Sequence, residues 1–363
     1  MFNGKFKMTS QRPTILVTGA SGFLGGHVVK QALERGYNVR VTARTEESAR
    51  RIVAAHSDHT SQLSYAVVPD LTKTESYEKA LDGSVMGVLH LASPFIFDPA
   101  DNVRDLLDPA IRGSTAILEA IGRWGHTVTR VVATSSFAAI IDDREGSRPG
   151  YTYTDADWNP ATYERAATST DGAYVYRASK VLAEKAMFAW VEENNNNKSS
   201  SSDASADGKF TLTTICPPWI YGPYAQDPVS PSERLSESVR LFTALLVDKP
   251  EIPPFDFGGY ADVREVATAH LLALEAPKEV ITGRRFIVGQ QFRYQTAVDL
   301  ARDALPELRD RLPIGRPGHI EPGYAIDGSK AAEDLGLKYM TLRETITNML
   351  SQLLRSGHIK TLT

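Results

Sequence analysis

Residues 14–36 read Thr14-Ile-Leu-Val-Thr18-Gly19-Ala-Ser21-Gly22-Phe23-Leu24-Gly25-Gly-His27-Val28-Val29-Lys-Gln-Ala32-Leu33-Glu-Arg-Gly36, and the order of residue types in this stretch decides the fold. Thr14–Thr18 is a β-branched run of strand length. It breaks into Gly19, Gly22 and Gly25; Leu24, Val28 and Ala32 then recur at helical spacing, with Val29 and Leu33 alongside. A strand that passes through a turn without Cβ atoms into a helix lets backbone N–H groups and the helix N-terminus meet a pyrophosphate. The spacing is G-x-x-G-x-x-G, not G-x-G-x-x-G, and an ordinary strand–helix turn also uses glycine. The place of the triplet, on the first strand of a βαβ run, is what points to a nucleotide.

Working outward, the same rhythm repeats. Asn38–Thr42 is a second strand candidate, followed by a charged helix from Thr45, a suitable N-cap. Leu63–Val68, Val85–Leu91, Arg130–Thr134 and Phe210–Cys216 are further strands, and Pro109–Arg123 and Tyr176–Glu193 are helix-length segments between the later ones. Alternation at these intervals suits right-handed crossovers, so the expected fold is α/β: a Rossmann-type, doubly wound parallel sheet covered on both faces. Residues 1–13 read as a flexible leader and 14–217 as the cofactor domain. Within it, 194–209 is a polar low-complexity loop with no hydrophobic period. From 218 to 363 the pattern loosens into Pro-rich turns, mixed helices and one late strand, Arg284–Val288. This reads as a smaller substrate-binding domain partly interleaved with the first.

Composition excludes more than it names. Forty Lys and Arg against 44 Asp and Glu give a formal charge of −4, and 42% of residues are hydrophobic. A pI near 6.1 argues against a dedicated nucleic-acid binder, which needs a basic footprint. The single cysteine, Cys216, makes neither an internal disulfide nor a thiolate metal site. Apolar runs are only strand-length, and the N-terminal residues lack an apolar signal core, so the expectation is a soluble, cytoplasmic protein with no membrane partner. His56 and His59 have ligand-like spacing but no third ligand, and no metal is expected.

Three further positions carry chemistry. Arg44 stands at the end of the second strand, where an acid would hold a ribose 2′-hydroxyl and an arginine accommodates a 2′-phosphate. With no acid before it, NADPH is the expected cofactor. Tyr176 and Lys180 lie one helical turn apart on one face. A phenol titrates near pH ~10, and a neighbouring ammonium favours its ionised form. Thr134-Ser135-Ser136 closes the fifth strand, at the sheet edge where open α/β folds place ligands; a hydroxyl there can polarise a carbonyl oxygen.

With these residues in hand, the sequence resembles the extended short-chain dehydrogenase/reductase family. It is most similar to the dihydroflavonol-reductase branch and the fungal NADPH-dependent methylglyoxal and aldehyde/ketone reductases. The marks are Gly19-x-x-Gly22-Phe23-x-Gly25, Asp70-Leu71, His90-Leu-Ala-Ser93-Pro94-Phe95, Thr134-Ser135-Ser136, Asp157-Trp158-Asn159-Pro160, Tyr176-x-x-x-Lys180, Pro217…Tyr221-Gly222-Pro223 and Asp262-Val263-Arg264-Glu265-Val266-Ala267. The likeness spans nearly the whole chain, apart from the leader and the Asn/Ser insertion.

The resemblance implies a role for each residue. Tyr176 would donate the proton, Lys180 would lower its pKa and hold the nicotinamide ribose, and Ser136 would polarise the carbonyl. Gly19, Ser21, Gly22, Phe23, Leu24 and Gly25 would face the pyrophosphate, and Asp70 and Leu71 would flank the adenine. Ala92, Ser93, Thr134, Pro217 and Trp219 would line the cofactor path. Phe95, Phe97, Phe137, Trp219, Tyr221 and Phe242 are candidates for an apolar substrate wall, with core packing as the alternative for each. Two positions depart from the family: Cys216 stands where Asn often precedes the proline, and Ser48 where a second basic residue often follows the arginine. The expected activity is reduction of aldehydes or ketones (methylglyoxal-, keto ester- or aryl ketone-like) by a monomer or homodimer. A nucleotide-sugar epimerase or dehydratase with tightly bound NAD, and a non-catalytic NADPH-binding regulator, are the competing expectations.

Overall fold

Strands that are apolar at nearly every position cannot leave either face in water, so they pair in parallel beneath helices. A computed structural model describes residues 13–94, 96, 99–197, 210–226, 234–246 and 251–359. Its strands are β1 (Thr14–Thr18), β2 (Asn38–Ala43), β3 (Leu63–Val67), β4 (Val85–His90), β5 (Arg130–Thr134), β6 (Thr152–Tyr153) and β7 (Thr211–Cys216). The later ones are β8 (Trp219–Tyr221), β9 (Gly259–Asp262), β10 (Arg284–Ile287), β11 (Gln290–Gln291) and β12 (Ala325–Ile326). Seven of them form one sheet in the order β10-β7-β5-β4-β1-β2-β3. Every neighbouring pair in it is parallel. The strand order reverses between β1 and β4, the switch point where a Rossmann-type sheet opens a crevice.

The principal helices are α1 (Phe23–Glu34), α2 (Glu46–Ala54), α3 (Asp108–Trp124), α4 (Tyr163–Ala167), α5 (Gly172–Asn197), α6 (Glu237–Thr243) and α7 (Val263–Glu275). The period of two in β1 assigns its side chains to opposite layers. Ile15 and Val17 pack with Val28, Val29 and Ala32 of α1 and Val266 and Leu271 of α7. Leu16 packs on the other side with Ala116, Ile117 and Ile121 of α3 and Met187 of α5. The glycine turn is therefore clamped between a strand buried on both faces and a helix whose inner face, from Gly25 to Leu33, is buried.

Helix α5 departs from the expected bounds at both ends. It begins at Gly172 rather than Tyr176, because the Asp171 carboxylate accepts the Tyr174 N–H at 3.1 Å and starts the helix a turn earlier. It also runs through Asn197, so the first four residues of the expected 194–209 loop are helical; residues 198–209 lie outside those described. The other strand ends fall within a residue of expectation.

The chain beyond β7 returns to the sheet. β10 supplies its edge, pairing Arg284–Ile287 with Thr213–Cys216 of β7, and α7 packs beside α1. The described residues after β7 also form a small sheet, β11-β9-β8, and β12 pairs in parallel with β6. Tyr221 at the end of β8 joins Phe242, Phe292 and Tyr294 in a ring cluster. Among the described residues no helix is long and apolar enough to cross a membrane.

Because β10 is an integral strand, its buried side chains should carry global stability. Phe286 has no exposed surface and packs in the α1/α7 layer. Phe286→Ala is expected to cost about 3–5 kcal/mol, read as a lowered urea midpoint; a change within experimental error would show that β10 docks independently of the sheet.

Candidate active site

Gly19 leaves β1 with φ +69°, the left-handed region that favours glycine, and a Cβ there would lie 2.9 Å from the backbone N of Ala92. At Gly25 a Cβ would run into the Gly19 carbonyl oxygen and come within 2.7 Å of the Ala20 Cα. The first glycine lets the chain turn against the exit of β4; the second lets α1 close onto the turn. Gly22 then caps α1 in extended backbone with no side-chain cap, and the first turn holds no acidic residue. The leading N–H groups are thus offered to a ligand rather than to the protein itself, which suits a pyrophosphate. A cleft of about 610 Å³ lies over the turn, lined by Ser21, Gly22, Phe23, Ser48, Arg51 and His56 among others. Leu24 instead packs against the sheet core.

Arg44 is exposed and has no hydrogen-bond or ion-pair partner among the described residues. Its neighbours are committed: Arg50 pairs with Glu46 at 2.8 Å, and Arg51 lies 3.9 Å from Glu47. The two glutamates beside Arg44 are therefore turned toward α2's own arginines. Asp70 closes a short turn by accepting the Thr72 N–H and hydroxyl at 2.9 and 2.7 Å, bonds that hold its carboxyl below the usual range. Leu71 packs into the space left by Gly113 of α3, where a Cβ would collide with it.

The exit of β4 is held by two residues to which sequence reasoning gave no role. The Thr18 hydroxyl accepts the N–H groups of Leu91 and Ala92, both at 3.1 Å, and lies 2.9 Å from His90 Nδ1. Burial lowers His90 to about 4, so the ring is neutral, and the Thr18 hydroxyl, already accepting two N–H groups, donates its hydrogen bond to Nδ1. That bond fixes the segment carrying Ala92 and Ser93. Ser93 in turn accepts from Lys180 Nζ at 2.7 Å, with the Pro94 carbonyl at 3.4 Å.

Tyr176 and Lys180 stand on one face of α5, with Nζ 5.4 Å from the phenol ring centroid. Burial pushes the Tyr176 hydroxyl up, and a hydrogen bond with Ser136 works in the opposite direction. Lys180 is lowered from 10.5 to about 8 by desolvation. The two serines after β5 part company. Ser136 accepts the Ala138 N–H at 3.1 Å and hydrogen-bonds Tyr176, whereas Ser135 donates to Glu184 at 2.8 Å. Thr134 is also engaged: its hydroxyl donates to His270 Nε2 at 2.7 Å, because His270 Nδ1 already donates to the Val266 carbonyl.

Pro217 accepts the Phe137 N–H at 2.9 Å and so ties the exit of β7 to the exit of β5. Trp219 remains partly exposed and meets Phe257 with centroids 5.2 Å apart; Phe257 also meets Phe137 at 5.3 Å. Phe257 was not anticipated, because its loop carries no strand or helix period. Phe137, Tyr221 and Phe242 have no exposed surface and sit in ring clusters, so their place in the structure is packing. Phe95 and Phe97 lie outside the described residues. Among the described residues no cluster of three or more His, Cys, Asp or Glu side chains is placed to hold a metal ion.

Residues 15–289 match the family model described as the NAD dependent epimerase/dehydratase family. The chain belongs to this family, the extended short-chain dehydrogenases/reductases. It is 36% identical over 353 residues to the NADPH-dependent methylglyoxal reductase GRE2 of Saccharomyces cerevisiae, covering 94% of this chain and 98% of that protein. It is 33% identical to the ketoreductase azaE of Aspergillus niger, over 95% of this chain and all of the other. Among solved structures, yeast methylglyoxal/isovaleraldehyde reductase Gre2 complexed with NADPH superimposes with a TM-score of 0.85 at 35% identity, covering 95% of this chain and 100% of that one. In this structure the turn at Gly19–Gly25 and the Tyr176–Lys180 face both meet the exit of β4, at the carboxyl end of the sheet.

The Lys180 environment has a measurable consequence. Its folded pKa lies below its unfolded value, so between about 8 and 10.5 the unfolded chain binds more protons and stability rises with pH. Lys180→Met is therefore expected to be most stabilising relative to the parent near pH 7, with the gap closing as pH rises through that window. Urea unfolding at pH 7 and 10.5 checks this; a gap that widens with pH would contradict the desolvated lysine.

Proposed function

We propose that the chain is an NADPH-dependent carbonyl reductase that converts aldehydes and ketones to alcohols at Ser136, Tyr176 and Lys180. One observation carries the proposal: Arg44, without a partner among the described residues, stands at the end of β2 on the same carboxyl edge of the sheet as a hydrogen-bonded Ser136–Tyr176 pair backed by Lys180. The similarity to NADPH-dependent reductases and a ketoreductase supports it.

When bound, the nicotinamide cofactor supplies hydride to the carbonyl carbon. The protein supplies position and charge. The uncapped start of α1 would hold the pyrophosphate and Arg44 the 2′-phosphate, while Lys180 and Ser93 lie where the nicotinamide ribose is expected. The Ser136 hydroxyl accepts the Ala138 N–H on one lone pair, and its proton, directed at the Tyr176 oxygen in this structure, would turn to the substrate oxygen when the carbonyl enters. Tyr176 passes its phenolic proton to that oxygen, and the nearby ammonium stabilises the phenolate left behind. Trp219 and Phe257 would form an apolar wall for the substrate, with Phe137 behind them. Methylglyoxal, keto esters and aryl ketones are the substrates this wall and donor pair would admit. We assign residues 14–217 mainly to cofactor binding and 218–363 mainly to the substrate side. A cytoplasmic setting agrees with the one buried, unpaired cysteine.

A panel of these carbonyls with NADPH and NADH tests the reading. Tyr176→Phe is expected to lower kcat by about 10²–10⁴-fold while NADPH still binds; near-normal turnover would sink the assignment. Arg44→Ala is expected to weaken NADPH binding by about 10- to 100-fold with little change for NADH, the loss of one charge-assisted contact. Protein that purifies with stoichiometric NAD and prefers NADH would favour the epimerase reading instead.

A further inference from the structure

Glu184 and Arg285 are the most deeply buried ion pair among the described residues, with side chains 1% and 6% exposed, and neither has a place in the chemistry above. Burying two charges is costly, and a well-packed apolar pair in the same space often gives equal or greater stability. The pair therefore calls for a reason other than stability, and its partners supply one.

Glu184 lies one turn beyond Lys180 and two beyond Tyr176, on the same face of α5. Its Oε2 accepts from the Ser135 hydroxyl at 2.8 Å, and its Oε1 from the Thr214 hydroxyl at 2.5 Å. Arg285, on β10, grips both oxygens as a fork, Nε to Oε1 at 2.9 Å and Nη2 to Oε2 at 3.0 Å. The rest of its guanidinium is also used. Nη1 donates to the carbonyls of Asp155 and Asp157 at 3.1 and 2.5 Å, Nη2 approaches the Ala139 carbonyl at 3.4 Å, and the group lies 3.5 Å over the Trp158 ring.

These bonds converge on the two elements that must meet for proton transfer. Ser135 is the residue before Ser136, and Ala139 closes the short 3-10 turn that Ser136 caps. Glu184 belongs to the helix that carries Tyr176 and Lys180. A single carboxylate–guanidinium unit thus bridges the Ser136 strand end to the Tyr176 helix and locks both to an edge strand from the far end of the chain.

We propose that Glu184 and Arg285 are positioning residues that hold Ser136 in hydrogen-bonding register with Tyr176. The proposal rests on the Ser136–Tyr176–Lys180 reading and concerns geometry only; neither side chain touches substrate or cofactor. A lysine at 285 keeps the charge but cannot make the fork and the three carbonyl contacts together.

The decisive variant is the double substitution Glu184→Leu/Arg285→Met, which removes both charges and strands neither. The substitution leaves the Asp155 and Asp157 carbonyls and the Ser135 and Thr214 hydroxyls without these partners, so it is expected to fold with a lowered melting temperature and to bind NADPH with unchanged affinity by fluorescence titration. Its kcat is expected to fall by about tenfold or more, since small misplacements of catalytic groups carry penalties of this size, with KM little changed. Loss of the Ser136 bond also raises the Tyr176 pKa, so the alkaline limb of the reduction pH profile should move to higher pH. A double variant with parental kcat and an unmoved limb would overturn the proposal. If it does not fold, Ser135→Ala, which cuts the link to the strand end but leaves the ion pair intact, carries the test: the same limb shift and a lowered kcat are expected, and parental values for both would overturn it. Tyr176→Phe run in parallel separates the two readings. An active Tyr176→Phe defeats the assigned proton donor, whereas an inactive one beside a fully active double variant defeats only the positioning role.

Discussion

A parallel sheet covered on both faces reaches water at the ends of its strands and along its outer edge strand, and this constraint arranges the rest of the molecule. Helices α1 and α7 seal one face, and α3 and α5 the other. Polar chemistry has to collect at the carboxyl edge, where β1, β4, β5 and β7 end at Thr18, His90, Thr134 and Cys216. The turn at Gly19, the Thr18–His90 bond and the Pro217–Phe137 bond are three solutions to one problem: leaving a buried strand without stranding backbone groups.

The electrostatics of the edge follow from the same burial. His27, His90 and His270 are all held near 4 and stay neutral, so they act as fixed donors and acceptors rather than as charges. Among the described residues, positive charge at this end comes from Arg44, in solvent, from Arg51 and Arg234 in the cleft over the turn, and from Lys180, whose pKa desolvation lowers to about 8. A cation poised in this way, beside a phenol pushed in the opposite direction, is an arrangement that only a densely packed edge can maintain.

Much of this was legible in the residues because it is local. The β-branched runs, the glycine turn and the one-turn spacing of Tyr176 and Lys180 are set by neighbours within a few positions. The departures share the opposite property. Asp171 starts α5 early through a cap that apolar periodicity does not register. Phe257 reaches the ring cluster from an irregular loop, and Tyr221 and Phe242 read equally well as wall or core until the ring contacts are known. Glu184 and Arg285 stand 101 residues apart, and no spacing rule joins them. An arginine inside the late strand and a glutamate on the Tyr176–Lys180 face were the available signals, and each alone reads as a surface charge.

The insertion of β10 at the sheet edge also governs how the polypeptide reaches its final form. During synthesis the first six strands emerge in order, but β7 ends at Cys216 and its outer partner does not begin until Arg284. For roughly seventy residues of elongation the nascent chain carries an open parallel edge, with Glu184 lacking its counter-ion. A nascent chain that paired these strands before residue 284 was made would hold the Glu184 carboxylate without its guanidinium and the edge of β7 without its outer strand, and both gaps close only when β10 arrives.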